Sequence, residues 1–158
     1  MLKTCLPDNA FYGRGPQLGP QVILTDNCKE ERNVLRAVWS TAILLLFTFQ
    51  IQKQFWRWLH EKSDGINEND CPYIPNLFKR CLYAETKERF EECYNELFND
   101  GLCLHYEILI KYLRSLYYER KAFALCFRTK LPVRGNHTSK FVEAQFLVLK
   151  DKILRRIK

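Results

Sequence analysis

The chain has little glycine or proline, six of each in 158 residues, and a single methionine. Together with 47% apolar and 14% aromatic residues, that scarcity excludes a disordered or low-complexity protein and leaves enough apolar side chain for one domain with a core. No internal repeat is present. No apolar run reaches the roughly 20 residues that a membrane-spanning helix needs. The longest, Ala42 to Phe49, gives way at once to Gln50, Gln52, Lys53 and Gln54. The opening Met1-Leu-Lys-Thr-Cys-Leu-Pro7 breaks before an apolar export segment forms, so no signal peptide is expected. No CxxC pair occurs among the seven cysteines, an odd number that reads as reduced thiols. A zinc site from Cys71, Cys81, Cys93 and Cys103 with Cys126, His60 or His105 is one reading of them; small side chains on buried helix faces is the plainer one. Asn136-His-Thr138 matches a glycosylation acceptor, which without export is expected to be accidental.

What the chain does have is positive charge. A net charge of +7 and an isoelectric point near 9.1 favour an anionic partner, nucleic acid before membrane.

The local patterns divide into two regions. Residues 8–20, with Gly13, Gly15, Gly19, Pro16 and Pro20, read as an irregular loop. Gln21 to Thr25 then reads as a short buried strand, and Lys29 to about Trp39 as a helix capped by Asp26 or Asn27. Thr41 to Phe49 reads as a second buried strand, parallel to the first because a helix joins them. From Gln50 to about Arg128 the apolar spacing is helical. Gln54 to Lys62 carries Phe55, Trp56, Trp58 and Leu59, and Phe90, Cys93, Tyr94, Leu97 and Phe98 mark one face of a helix over Glu85 to Asn99. Tyr106, Leu109, Ile110, Leu113, Leu116 and Tyr117 repeat the pattern, and all these aromatic stripes are expected to be core. Pro72 and Pro75 are expected to delay or break the helix before Tyr83. After the polar Pro132–Ser139 break, Thr138 or Ser139 caps a final basic helix.

Two acids stand out. Asp26 ends the apolar run Gln21-Val-Ile-Leu-Thr25, and strand C-termini are where open α/β sheets place ligands. Glu143 falls one turn into the final helix. Two-metal phosphoryl transfer gathers carboxylates around divalent ions about 3.5–4 Å apart, and a strand end facing a helix can supply them. Each acid also has a local reading, Asp26 as a helix cap and Glu143 as a partner of its helix dipole. Lys150, Lys152, Arg155, Arg156 and Lys158 form either a DNA-facing stripe or a solvated helix end.

The residues around both acids resemble a known family. Asp8-Asn-Ala-Phe-Tyr-Gly-Arg-Gly-Pro-Gln-Leu-Gly-Pro20, Thr25-Asp26 and Glu31-Arg-Asn-Val-Leu-Arg-Ala-Val-Trp39 are similar to the middle of a Mutator-like-element (MULE) transposase domain. So are Trp56-Arg-Trp-Leu59, Leu82-Tyr-Ala-Glu85, Ala124-Leu-Cys-Phe-Arg128, Arg134-Gly-Asn136 and Phe141-Val-Glu-Ala-Gln-Phe146. The resemblance covers nearly the whole chain. It implies an α/β, mainly helical protein: the C-terminal part of an RNase-H-like fold with an all-α insertion over residues 50–133 and an incomplete sheet. It also implies Asp-Asp-Glu chemistry with Mg²⁺ or Mn²⁺, transposon-end DNA as partner and a nuclear location. Asp26 matches the family's second acid and Glu143 its third, which makes them the implied catalytic and metal-binding residues. Lys150, Lys152, Arg155 and Arg156 become the DNA-binding candidates.

The chain departs from the family in three respects. The first acid belongs to an upstream strand, and the only acid here before Asp26 is Asp8, too close to leave room for the intervening strands and helix. Phe47 and Gln50 stand where the family has a Cys and a His three apart, and neither keeps their coordinating character. The chain also stops at Lys158, where family members continue. The expectation is a fragment that neither cuts nor joins DNA alone and at most binds it, with two or three strands and an exposed sheet edge prone to self-association. A helical protein-interaction module derived from a transposon, or a non-functional fragment of a longer reading frame, is the alternative.

Overall fold

In the computed structural model, the described residues are 2–61, 66–67 and 69–133. A 3-10 turn at Leu2–Cys5 leads into two single turns, α1 (Ala10–Gly13) and α2 (Gly15–Leu18). Phe11 and Tyr12 in α1 hold left-handed backbone angles, φ 55° and 60°, an unusual state for bulky residues. This loop is tied down by Trp39. The Trp39 indole donates to the Pro16 carbonyl at 2.9 Å and meets the Phe11 ring edge-on at 5.4 Å. Gly19 is required beneath that indole: its φ is +70°, and a Cβ there would lie 2.1 Å from the ring.

β1 (Val22–Thr25), α3 (Lys29–Val38) and β2 (Ile43–Leu46) make a β–α–β unit. The strands pair in parallel, Val22 beside Ile43 through Thr25 beside Leu46, as the apolar spacing leads one to expect. Two details correct the sequence reading. Neither Asp26 nor Asn27 caps α3; Cys28 holds the N-cap position with no side-chain capping bond, and Asn27 turns instead to Gln54 and Arg32. The second strand is also shorter than Thr41 to Phe49. The Phe47 amide still donates to Thr25, but the Phe47 carbonyl accepts from the Gln50 and Ile51 amides, which turns the chain into a helix at Thr48. Buried Thr48 secures that start by donating its hydroxyl to the Phe123 carbonyl at 2.9 Å.

The remainder is helical: α4 (Thr48–Glu61), α5 (Tyr73–Leu82), α6 (Lys87–Asn99), α7 (Gly101–His105), α8 (Glu107–Phe123) and a 3-10 turn at Leu125–Phe127. Pro72 and Pro75 do not delay α5. Pro72 caps it and Pro75 sits in its first turn, where the missing amide hydrogen would have had no helical partner. Thr86 caps α6 by accepting from the Arg89 amide, and Asp100 caps α7 by accepting from the Leu102 and Cys103 amides.

The hydrophobic core belongs to this helical part. Its cluster of buried residues begins at Leu46 and ends at Cys126, with Phe55, Ile74, Phe78, Leu82, Phe90, Leu97 and Leu113 at its centre. Nothing before Leu46 joins it. No residue of α3 is fully buried, and Val22, Ile23 and Leu24 are only half-buried although their strand is apolar on both faces. The sheet is therefore an appendage to the helical body. One buried cation bridges them: Arg128, 1% exposed, donates through Nη2 to the carbonyls of Leu46 and Ala122.

Candidate functional site

The C-terminal end of the sheet is where the sequence directs attention. Asp26 is exposed just past β1, and buried Thr25 donates its hydroxyl to the Asp26 carbonyl at 3.2 Å, steadying the turn. Beside it lies a polar network that the sequence did not suggest. Asn27 donates from Nδ2 to Gln54 Oε1 at 3.1 Å, Arg32 donates to Asn27 Oδ1 at 2.9 Å, and Arg32 pairs with Glu119 at 3.4 Å. The strand-end loop is thereby linked to α3, α4 and α8. The Arg32–Glu119 pair joins residues 87 apart, which no local pattern encodes. On the same loop, the Cys28 thiol donates to Glu30 at 3.3 Å. The Glu30 carboxyl is held below its ordinary pKa by its backbone hydrogen bond first and by Cys28 second.

Among the described residues no divalent-metal site forms at this end of the sheet. At the end of β1 Asp26 offers one exposed carboxylate, while Arg32 brings a cation to the same loop. Among the described residues no three His, Cys, Asp or Glu side chains gather as a metal site would require. Half-buried Phe47 and Gln50 supply neither a thiolate nor an imidazole. Glu143, Lys150, Lys152, Arg155 and Arg156 lie outside the described residues, so no distance links Asp26 to any of them.

The cysteines and histidines of the zinc reading are likewise not assembled into such a group among the described residues. Cys71, Cys81, Cys93, Cys103 and Cys126 are all buried. The Cys81 thiol donates to the Leu77 carbonyl at 3.5 Å, a bond within its own helix. Burial pushes both Cys81 and Cys103 up to about 12. Above pH 9 an unfolded chain ionises these thiols while the folded chain keeps them neutral, so the unfolded state binds fewer protons and stability falls as pH rises from 9 towards 12. The expected loss is roughly 1 kcal/mol per thiol by pH 10. Urea midpoints measured from pH 8 to 10 should fall for the native chain and fall less for a Cys81→Ala/Cys103→Ala variant. Parallel slopes would refute the assignment.

Aromatic residues read from sequence as core turn out to be divided. Phe55 and Phe90 are buried, but Trp56 is 50% exposed and stacks on His60 at 3.9 Å. Between α6 and α8, Tyr94, Phe98, Tyr117 and Tyr118 line a groove of about 380 Å³, and Tyr118 is 83% exposed. Arg114 lies over the Phe98 ring at 5.4 Å, and Tyr117 donates its hydroxyl to Glu91 at 2.8 Å, which raises the phenol's pKa. The helical repeat of Tyr94, Phe98 and Tyr117 was legible; which of them would line a groove depended on how α6 and α8 pack.

Comparison with protein-family models, curated proteins and solved structures returns no match. No helix among the described residues is long and apolar enough to cross a membrane.

Proposed function

We propose that the chain is the C-terminal part of a MULE-like, RNase-H-like transposase domain that does not cleave DNA by itself and retains at most an electrostatic affinity for nucleic acid. The observation that carries this reading is the order of parts. A parallel β–α–β unit places an exposed Asp26 at a strand's C-terminal end and is followed at once by an all-helical block, the sequence of elements that the family resemblance implies. The weak burial of the β–α–β unit supports it further, since a sheet built to sit inside a larger α/β layer would leave such surfaces half-covered. Asp26 and Glu143 are then the residual second and third acids, with Mg²⁺ or Mn²⁺ as the family's ion. Lys150, Lys152, Arg155 and Arg156 are the cations that would meet phosphate, and a nuclear location goes with this reading.

The purified chain should show no Mg²⁺- or Mn²⁺-dependent strand cleavage. It should retain DNA on a filter with an affinity that falls by about a hundredfold or more between low and physiological salt. Replacing Lys150, Lys152, Arg155 and Arg156 by Gln should flatten that salt dependence. Cleavage abolished by Asp26→Asn would overturn the inactivity, and absent or salt-insensitive binding would overturn the DNA affinity. The groove between α6 and α8 favours a second reading, a helical protein-interaction module, in which Tyr118→Ala impairs function and changes at Asp26 do not.

A further inference from the structure

The two edges of the sheet are not alike. In the parallel ladder the Gln21 carbonyl accepts from Ile43 and the Thr25 carbonyl from Phe47, so odd-numbered residues of β1 face β2. By alternation, the backbone groups of Val22 and Leu24 face away from it, as do those of Leu44 and Leu46 on β2. The β2 side is covered where the strand ends. The Leu46 carbonyl accepts from the buried Arg128 guanidinium, and α8 packs against that strand. The β1 side is open: no described backbone or side-chain group bonds to the outward amides and carbonyls of Val22 and Leu24. A cleft of about 350 Å³ lies beside the start of the strand, with Tyr12, Arg14, Val22 and Pro132 among its walls.

We propose that the open edge of β1 pairs, antiparallel, with the same edge of a second copy of the chain. Three features favour a copy of itself over an unrelated strand. Val22-Ile-Leu-Thr25 carries no charge, proline or bulge of the kind that blunts an edge. A two-stranded sheet is marginal alone and gains from extension to four strands. The charges flanking the strand are also self-complementary. With Val22 of one chain opposite Leu24 of the other, the outward groups exchange hydrogen bonds in reciprocal pairs and the twofold axis passes at Ile23. Asp26 of each chain then lies opposite Pro20 of its partner. There the Arg14 guanidinium is anchored, its Nε donating to the Gly19 carbonyl at 2.9 Å. The register brings an exposed carboxylate to an exposed guanidinium twice over. So short a ladder makes a weak dimer that forms at high concentration. The inference is independent of any affinity for DNA and survives the failure of that reading.

The experiment is sedimentation velocity on the full chain, in reducing buffer, from micromolar to millimolar concentration. The weight-average mass should climb from monomer towards dimer. Leu24→Pro removes one outward amide without touching the ladder to β2, and Val22→Lys adds an edge charge; both should remain monomeric with unchanged far-ultraviolet circular dichroism. Asp26→Arg should weaken the dimer, and Arg14→Asp/Asp26→Arg together should restore it. Ile23→Cys, in a Cys5→Ser/Cys28→Ser background, places a thiol on the axis opposite its own copy and should form a cross-chain disulfide on mild oxidation. A chain monomeric throughout the series overturns the proposal. So does a dimer that survives both edge variants, or one in which the axial cysteine fails to cross-link.

Discussion

Arg128→Ala is expected to lower the unfolding free energy by about 3–5 kcal/mol, a large part of a small domain's stability. The guanidinium is 1% exposed, and burial pulls its pKa down to about 10. It donates to the Leu46 carbonyl at the end of β2 and, at 2.9 Å, to the Ala122 carbonyl in the last turn of α8. Neither carbonyl has a substitute donor in alanine, and the lost side chain leaves a cavity where sheet and helical body meet. An opposing effect limits the loss. Nε and Nη1 find no hydrogen-bond partner among the described residues, so part of the charge is buried at a cost that any neutral residue avoids. Arg128→Met separates the cavity from the other two effects. Like alanine it removes the uncompensated charge and abandons both carbonyls, but it fills the volume and should cost only about 1–2 kcal/mol. Urea midpoints at constant m-value make the comparison. Two variants with equal losses would mean that packing contributes nothing; a methionine variant more stable than the native chain would mean that burying the charge outweighs both hydrogen bonds.

Arg128 also marks where the sequence stopped being legible. The strand at Val22–Thr25, the helix from Lys29 and the parallel pairing could be read locally, because a β-branched apolar run, a charged amphipathic segment and a second apolar run each carry their own period. The second strand was read too long for a physical reason. Phe47, Thr48 and Phe49 have strand-like side chains, but the Thr48 hydroxyl finds the Phe123 carbonyl 75 residues away, and that distant partner favours a helix start. The error at Pro75 has a different origin: a proline that breaks a helix at its middle is tolerated in its first turn, so the outcome depended on where α5 begins. At the candidate site, Asp26 was placed at a strand end from its neighbours alone. Arg32, Gln54 and Glu119 were not, since the network joining them is set by how α3, α4 and α8 pack.

The same division governs the core. The helical body was legible through its aromatic and leucine spacing, whereas the thinness of the sheet was not. Val22, Ile23 and Leu24 have the composition of a strand buried on both faces, and they are half-buried because no third strand lies beside β1 among the described residues. Composition states what a segment can bury; only the assembled fold states what is there to cover it.

Phe55→Ala should be as damaging as the loss of Arg128, at about 3–5 kcal/mol, while the adjacent Trp56→Ala should stay within about 0.5 kcal/mol of the native chain. The two aromatics are neighbours in sequence and opposite in environment. Phe55 is fully buried where three helices meet: its ring lies 4.4 Å from Phe78 of α5 and 6.0 Å from Tyr112 of α8, parallel to the latter within 1°. Trp58, on its own helix, stacks on the same Tyr112 at 4.1 Å, so the ring of Phe55 also sets the position of a second aromatic pair. Truncation removes the contacts of α4 with both neighbours at once, and the surrounding rings are too large to collapse into the space. Trp56 points outward over His60, and its removal uncovers one exposed imidazole. Phe55→Leu, which keeps most of the volume, should fall between them at about 1–1.5 kcal/mol. Thermal unfolding of the three variants ranks the losses, and amide exchange in α4, α5 and α8 locates them. If Trp56→Ala costs as much as Phe55→Ala, the face of α4 assigned to the core is the wrong one, and the aromatic stripe that organises the helical body has to be redrawn.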